Sequence, residues 1–166
     1  MIVVSDSTPL ITLMKAASLH VLNGLFGDVL IPRAVFSELT NNRAFRDEAD
    51  LIRNSDYIRV VDVPHPELVD LLQRAAGLDR GESEAIIYAD EIGADLLLMD
   101  ESAGRRVAQN MRLPIAGSIG VLVKACQSGL LSREETEKAL FRIKEANRHI
   151  SSRLIEDALE VIRREE

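Results

Sequence analysis

Cysteine occurs once in the 166 residues, at Cys126, so no intrachain disulfide can form and a reducing, cytoplasmic setting is expected. It sits in an apolar helical stretch, and it reads as a buried structural thiol. Tryptophan is absent and the aromatics are only 4 Phe and 2 Tyr, so no base-stacking platform is evident. Histidine is also sparse: His20, His65 and His149 share no metal-ligand spacing and read as incidental. There is no glycine-rich phosphate loop, since Gly117-Ser118-Ile119-Gly120 is more simply a helix cap. No basic leader precedes an apolar stretch, and no apolar run approaches the length of a membrane span, so a soluble protein is expected.

What remains is a chain with 46% hydrophobic residues, enough for a sizeable core and against disorder. Its net charge of −7 is unusual for a partner of a polyanion, but the distribution is more informative than the sum. Residues 1–60 carry 6 basic and 7 acidic side chains, residues 131–166 carry 8 and 9, and residues 61–130 carry 6 and 11. The acidic surplus lies in the middle third, either as a solvated helix face or as part of a cation site.

Short apolar runs alternate with amphipathic stretches, the pattern of an α/β protein with a parallel sheet. Strands are expected at 2–5, 29–31, 58–61, 96–99 and 114–116. Helices are expected at 9–16, 18–25, 32–40, 48–54, 67–76, 79–92 and 102–110, two of them with proline (Pro9, Pro32) at the first helical position. Beyond 118 the chain reads as helix throughout. Ser132 and Glu135 form a capping box, and Ile155, Leu159 and Ile162 share a stripe that is buried either on the chain itself or on a partner. The expected organisation is one domain over 1–166, with a core over 1–129 and a helical extension over 130–166.

The acids can then be placed. In "VVSDSTPLI", Asp6 follows an apolar strand, at the carboxyl edge where open α/β sheets bind ligands. Two readings are open for it, a cap of the turn or a member of a site. In "LLLMDESAG", Asp100 repeats the situation, with an N-cap or first-turn carboxylate as the plain alternative. Glu38 lies on the helix after the second strand among Ala34, Val35 and Leu39, where a solvated glutamate is the plain alternative. Asp79 and Glu82 have capping-box spacing, yet Glu82 also heads a stripe with Ala85, Ile86 and Ala89 that should face the sheet. Glu84 points elsewhere around the helix and is the weaker candidate.

Asp6, Glu38, Glu82 and Asp100 could converge at one sheet edge, where they would repel one another and raise each other's pKa. A divalent cation relieves that repulsion. Oxygen ligands without histidine or cysteine suit Mg²⁺ or Mn²⁺, and such a site favours phosphodiester hydrolysis. Arg105 and Arg106, on the helix after Asp100, are candidates to meet a phosphate, with ordinary surface arginines as the alternative.

With "DSTPLI" at the front, "IPRAVFSEL" after the second strand and "GESEAI…ADLLLMDE" in the middle, the chain resembles the PIN-domain family, in particular a bacterial and archaeal subgroup. The resemblance spans about residues 2–129 and rests on the order and spacing of these motifs together. It implies a Rossmann-type three-layer α/β fold with strand order 3-2-1-4-5, a cluster of acids holding Mg²⁺ or Mn²⁺, and metal-dependent cleavage of RNA. Many members are toxins of toxin–antitoxin pairs, which implies a small antitoxin partner, and a homodimer is expected for the carboxyl stripe. Asp6 and Glu38 match the first two family acids. Glu82 matches the third when counted back from Asp100, the fourth, without a gap; Glu84 takes that place only if the register slips by two residues. Many members have threonine or serine two residues before the fourth acid, where this chain has Leu98; Ser7 is the candidate for a nearby hydroxyl. A catalytically silent interaction protein on the same fold is the main alternative. A phosphate-transferring hydrolase would want an aspartate where Thr8 stands, and a phospho-acceptor receiver would want paired acids after the first strand.

Overall fold

The computed structural model describes residues 1–146 and 150–164, so the expectation for His149 lies outside the described residues. Runs of branched apolar residues build the sheet: β1 (Val3–Ser5), β2 (Val29–Pro32), β3 (Ile58–Val61), β4 (Leu96–Leu98) and β5 (Ile115–Ala116). All pair in parallel, in the order β3-β2-β1-β4-β5. This is the α/β fold and strand order that the resemblance implied. After β3 the chain returns to the other side of β1, so the winding reverses between β1 and β4, and the register sets Ser5 beside Leu98 there.

The pleat sends alternate side chains to opposite faces. Val3 and Leu98 enter one apolar cluster, while Val4, Leu97 and Met99 enter another. The first face is covered by α1 (Ser7–Lys15), α2 (Val21–Phe26), α3 (Arg33–Thr40), α4 (Arg46–Asn54), α8 (Ser118–Gln127), α9 (Arg133–Ala146) and α10 (Ser152–Arg164), which contribute Leu13, Leu22, Val35, Ile52, Leu122, Leu140 and Ile155. The second is covered by α6 (Arg80–Glu91) and α7 (Ser102–Asn110), through Ala85, Ile86, Ala89 and Ala108, with α5 (Pro66–Ala76) packed outside α6.

Boundaries differ from expectation where proline is involved. α1 begins at Ser7 with Asp6 at its N-cap, so Pro9 is the third helical residue and not the first. The first four N–H groups of any helix lack a helical partner, so proline fits throughout that turn. Pro32 ends β2 in extended backbone and serves as the N-cap of α3. A 3-10 turn at Arg43–Phe45, not expected from the sequence, is held by the Asn42 side chain, which accepts a hydrogen bond from the Ala44 N–H at 3.0 Å.

The capping box before α9 forms as expected: the Ser132 N–H donates to Glu135 Oε2 at 2.7 Å and the Glu135 N–H to Ser132 Oγ at 3.1 Å. The stripe on α10 is covered by the chain itself, with Ile155 and Ile162 buried beside Leu140 and Ile143 and Leu159 half-buried against them. No helix among the described residues is long and apolar enough to cross a membrane.

Candidate functional site

Each carboxylate at the reversal point has a different local reason to be there. Asp6 is the N-cap of α1 by backbone conformation, but its side chain makes no capping hydrogen bond. Its N–H donates to Leu98 O at 3.0 Å, tying it to the end of β4. The side chain is 1% exposed, and Oδ1 is buried with no hydrogen-bond partner. Burial is the main cause that raises its pKa from 3.8 to about 8; the Ser7 backbone amide works against the rise, and the charges of Asp79, Glu38 and Glu82 add to it. A plain cap would have bonded its helix, so capping does not account for Asp6.

Glu38 reaches the same place from α3. Ser7 Oγ donates to its Oε2 at 2.7 Å. Its other oxygen lies against Gly81, where an added Cβ would overlap Oε1 and approach Cδ to 3.0 Å. Only glycine at this point of α6 lets Glu38 keep this position, since any Cβ would push its carboxylate aside. Partial burial of the carboxylate raises its pKa, the Ser7 hydroxyl lowers it, and Asp79 and Glu101 raise it further.

Glu82 has two tasks. It completes the capping box of α6: the Asp79 N–H donates to its Oε2 at 3.1 Å, and Asp79 Oδ1 accepts from the Glu82 N–H at 2.8 Å. Its Oε1 is buried without a partner, 3.2 Å from where a Cβ on Gly104 of α7 would stand. Burial raises its pKa, the Asp79 amide opposes this, and Asp79, Glu101 and Glu38 reinforce it. The stripe it heads is buried as expected, with Ala85, Ile86 and Ala89 all at 0% exposure.

Asp100 follows β4 at the same edge but turns towards β5. It accepts from the Ser118 N–H at 2.7 Å and from Ser118 Oγ at 2.9 Å, so it caps α8 from a distance; the N-cap of α7 is Glu101. Arg105 Nη1 donates to Met99 O at 2.7 Å beside it, and a Cβ on Gly117 would come within 2.9 Å of Asp100 Oδ1 and 3.3 Å of that Nη1. Arg106 is exposed to solvent. Glu84 faces away from the cluster: its Oε2 accepts from the Ala34 N–H at 3.0 Å, capping α3, and its Oε1 from Arg80 at 3.1 Å.

The structure thus brings Asp6, Glu38 and Glu82 within electrostatic reach of one another, whereas Asp100 is not among the charges that act on them and is bonded to Ser118. Two further acids, Asp79 and Glu101, act on the same carboxylates and were not singled out from sequence. Asp79 read only as a cap, and the one available signal for Glu101 was its place next to Asp100. Among the described residues no three His, Cys, Asp or Glu side chains form a group that could hold a metal ion as they stand. The donors nevertheless suit a hard cation: all are carboxylate oxygens, and Asp6 Oδ1 and Glu82 Oε1 are buried acceptors with nothing to accept from.

No curated protein and no solved structure matches the chain in a sequence search. A family model described as a PIN domain matches residues 2–164. PIN domains are in general nucleases that use divalent metal ions. Spanning both the acidic edge and the carboxyl helices, that match means that the chain belongs to the PIN-domain family.

Proposed function

We propose that this chain is a Mg²⁺- or Mn²⁺-dependent ribonuclease whose ion is held by Asp6, Glu38 and Glu82, with Asp100 at the margin of the same edge. The observation that carries the reading is the pair of buried, unpartnered oxygens, Asp6 Oδ1 and Glu82 Oε1, on neighbouring elements at the point where the winding reverses. Leaving a buried carboxylate oxygen unpaired is costly, and two such oxygens on acids that act on one another suit a cation that completes both.

A divalent ion bound there would offset the carboxylate charges and supply an activated water for phosphodiester hydrolysis. The protein's own contributions are positional. Ser7 fixes the rotation of Glu38 through Oε2, and the Asp79 amide fixes Glu82 through Oε2, so in both residues one oxygen orients the other. Asp6 holds a proton on its buried carboxyl near neutral pH and must release it when a cation binds, so binding strengthens as pH rises. Arg105, anchored on Met99 O, keeps a guanidinium beside Asp100 where the substrate's phosphate would enter.

Incubating the purified protein and its Asp6→Asn variant with single-stranded RNA, with Mn²⁺, Mg²⁺ or chelator, tests the reading. Cleavage by the wild type with metal, and by neither protein in chelator nor by the variant, is the expected result; an intact substrate throughout would leave the silent interaction protein. A toxin role is a narrower form of the same proposal, supported by the sequence resemblance. It predicts growth arrest on expression, relieved by a neighbouring reading frame.

A further inference from the structure

The cleft that holds Glu38 continues past it. Ile11 and Met14 of α1, Glu38 and Leu39 of α3, and Asn42 and Phe45 around the 3-10 turn enclose a cavity of about 220 Å³. Phe45 is 49% exposed there, an aromatic ring on the surface of a chain with only 4 Phe and 2 Tyr. Asn42 also lines a second cavity of about 240 Å³, together with Thr40, Arg43, Arg46 and Arg53. Arg53 is engaged by Asp50 and by Thr40 O, whereas Arg43 and Arg46 are exposed and make no ion pair among the described residues. Two adjoining pockets therefore differ in chemistry: the first is mostly apolar with Lys15, Glu38 and Glu48 in its walls, and the second has Arg43 and Arg46 beside the Arg53–Asp50 pair.

We infer that these pockets hold the nucleotide next to the cleaved bond, its base against Phe45 between Met14 and Leu39, and its outer phosphate on Arg43 and Arg46. The inference rests on the ribonuclease reading. Glu38 is a wall of the apolar cavity and a member of the carboxylate cluster, so a strand cut at the cluster has its adjoining base at the mouth of that cavity. Stacking tolerates any base, because each has a π face. A protein of net charge −7 needs local cations to keep a polyanion near six carboxylates, and unpaired arginines at the end of the cleft meet that need. Asn42 fixes the turn through Oδ1, which leaves its amide nitrogen for the edge of the base.

A coupling cycle between protein and RNA tests this. The substrate is a single-stranded RNA cleaved by the wild type, remade with a baseless ribose spacer at each position flanking the cut in turn. For the wild type, one spacer position is expected to lower kcat/KM about tenfold or more, the scale of one stacked base. For Phe45→Ala, the unmodified RNA is expected to lose the same factor, and the spacer at that position to lose nothing further. Arg43→Ala with Arg46→Ala should raise KM with little change in kcat and reduce the salt slope of log affinity by about 0.7, for one phosphate no longer neutralised on single-stranded RNA. If wild type cleaves RNA and Phe45→Ala is indifferent, or loses activity equally with and without the spacer, the inference fails and the ribonuclease reading stands. If Phe45→Ala instead turns a dimer into a monomer with cleavage unchanged, the face joins copies of the chain and the inference fails. If wild type cleaves no RNA, both fall.

Discussion

Two aspartates stand at the ends of adjacent strands, and their removal should shift stability in opposite directions. Asp6 is buried, unbonded at Oδ1 and raised to about 8, so the folded state keeps a proton that the unfolded chain releases near pH 3.8. Its contribution to stability is therefore fully present below that value and is lost as pH rises towards about 8. In chelator, Asp6→Asn is expected to be more stable than wild type above neutral pH, by about 1–3 kcal/mol, with the gap narrowing as pH falls towards 3.8. Thermal melts across that range decide it, and a variant less stable at every pH would make Asp6 a structural residue. Asp100 bonds both polar atoms of Ser118, so Asp100→Ala should cost about 1 kcal/mol, the worth of a helix cap.

Gly81→Ala separates geometry from stability. A methyl group there collides with Glu38 Oε1, while alanine favours the helix by about 0.5–1 kcal/mol. Cleavage should fall about tenfold or more while the melting temperature holds or rises; unchanged activity would show that Glu38 has no fixed place in the reaction.

At the scale of the element, α1 and α7 lead away from Asp6 and Asp100, and both end with a non-glycine residue in the left-handed region, Ala17 at φ 53° and Arg112 at φ 61°. The following amides reach back to close each helix, Ser18 N–H to Leu13 O and Leu113 N–H to Ala108 O, as in a Schellman ending. Arg112→Gly should therefore raise stability by about 1 kcal/mol in chemical denaturation, since glycine has no Cβ to strain there. These endings were not read from sequence, because neither residue carries the glycine that advertises them. The strands and most helices were legible, because branched apolar runs and capping residues mark them locally. The cap and the buried position of Glu82 were legible, since its spacing to Asp79 and its apolar stripe were both visible. The orientation of Asp100 was not, because its partner Ser118 is 18 positions away and only the β4–β5 pairing brings them together. Phe45 was hidden for another reason: the turn that exposes it is closed by two Asn42 hydrogen bonds, Ala44 N–H to the side chain and Phe45 N–H to the backbone oxygen, which no local sequence signal marks.

Across the whole molecule, the carboxyl helices share the first-face core with β1. Leu140 and Ile143 are 0% exposed and belong to the cluster that contains Val3 and Leu10. We expect the chain to unfold in a single calorimetric transition, and Leu140→Ala to cost about 2–5 kcal/mol while keeping it single. A separate transition for the last helices would mark them as an independent unit. With the α10 stripe covered from within, dimerisation would have to use another surface, and light scattering of the pure protein gives its state directly.

The Asp6 amide, bonded to Leu98 O between two central strands, has one more consequence. An N–H in such a place exchanges with solvent deuterium only when β1 and β4 part, which is close to opening the whole sheet. The Asp6 amide is thus expected to be among the slowly exchanging ones, which hydrogen–deuterium exchange measures directly. Its position resists loosening by local fluctuation, so a regulator would have to act by filling the cleft or gripping its carboxylates, and exchange at Asp6 would stay slow in the inhibited protein.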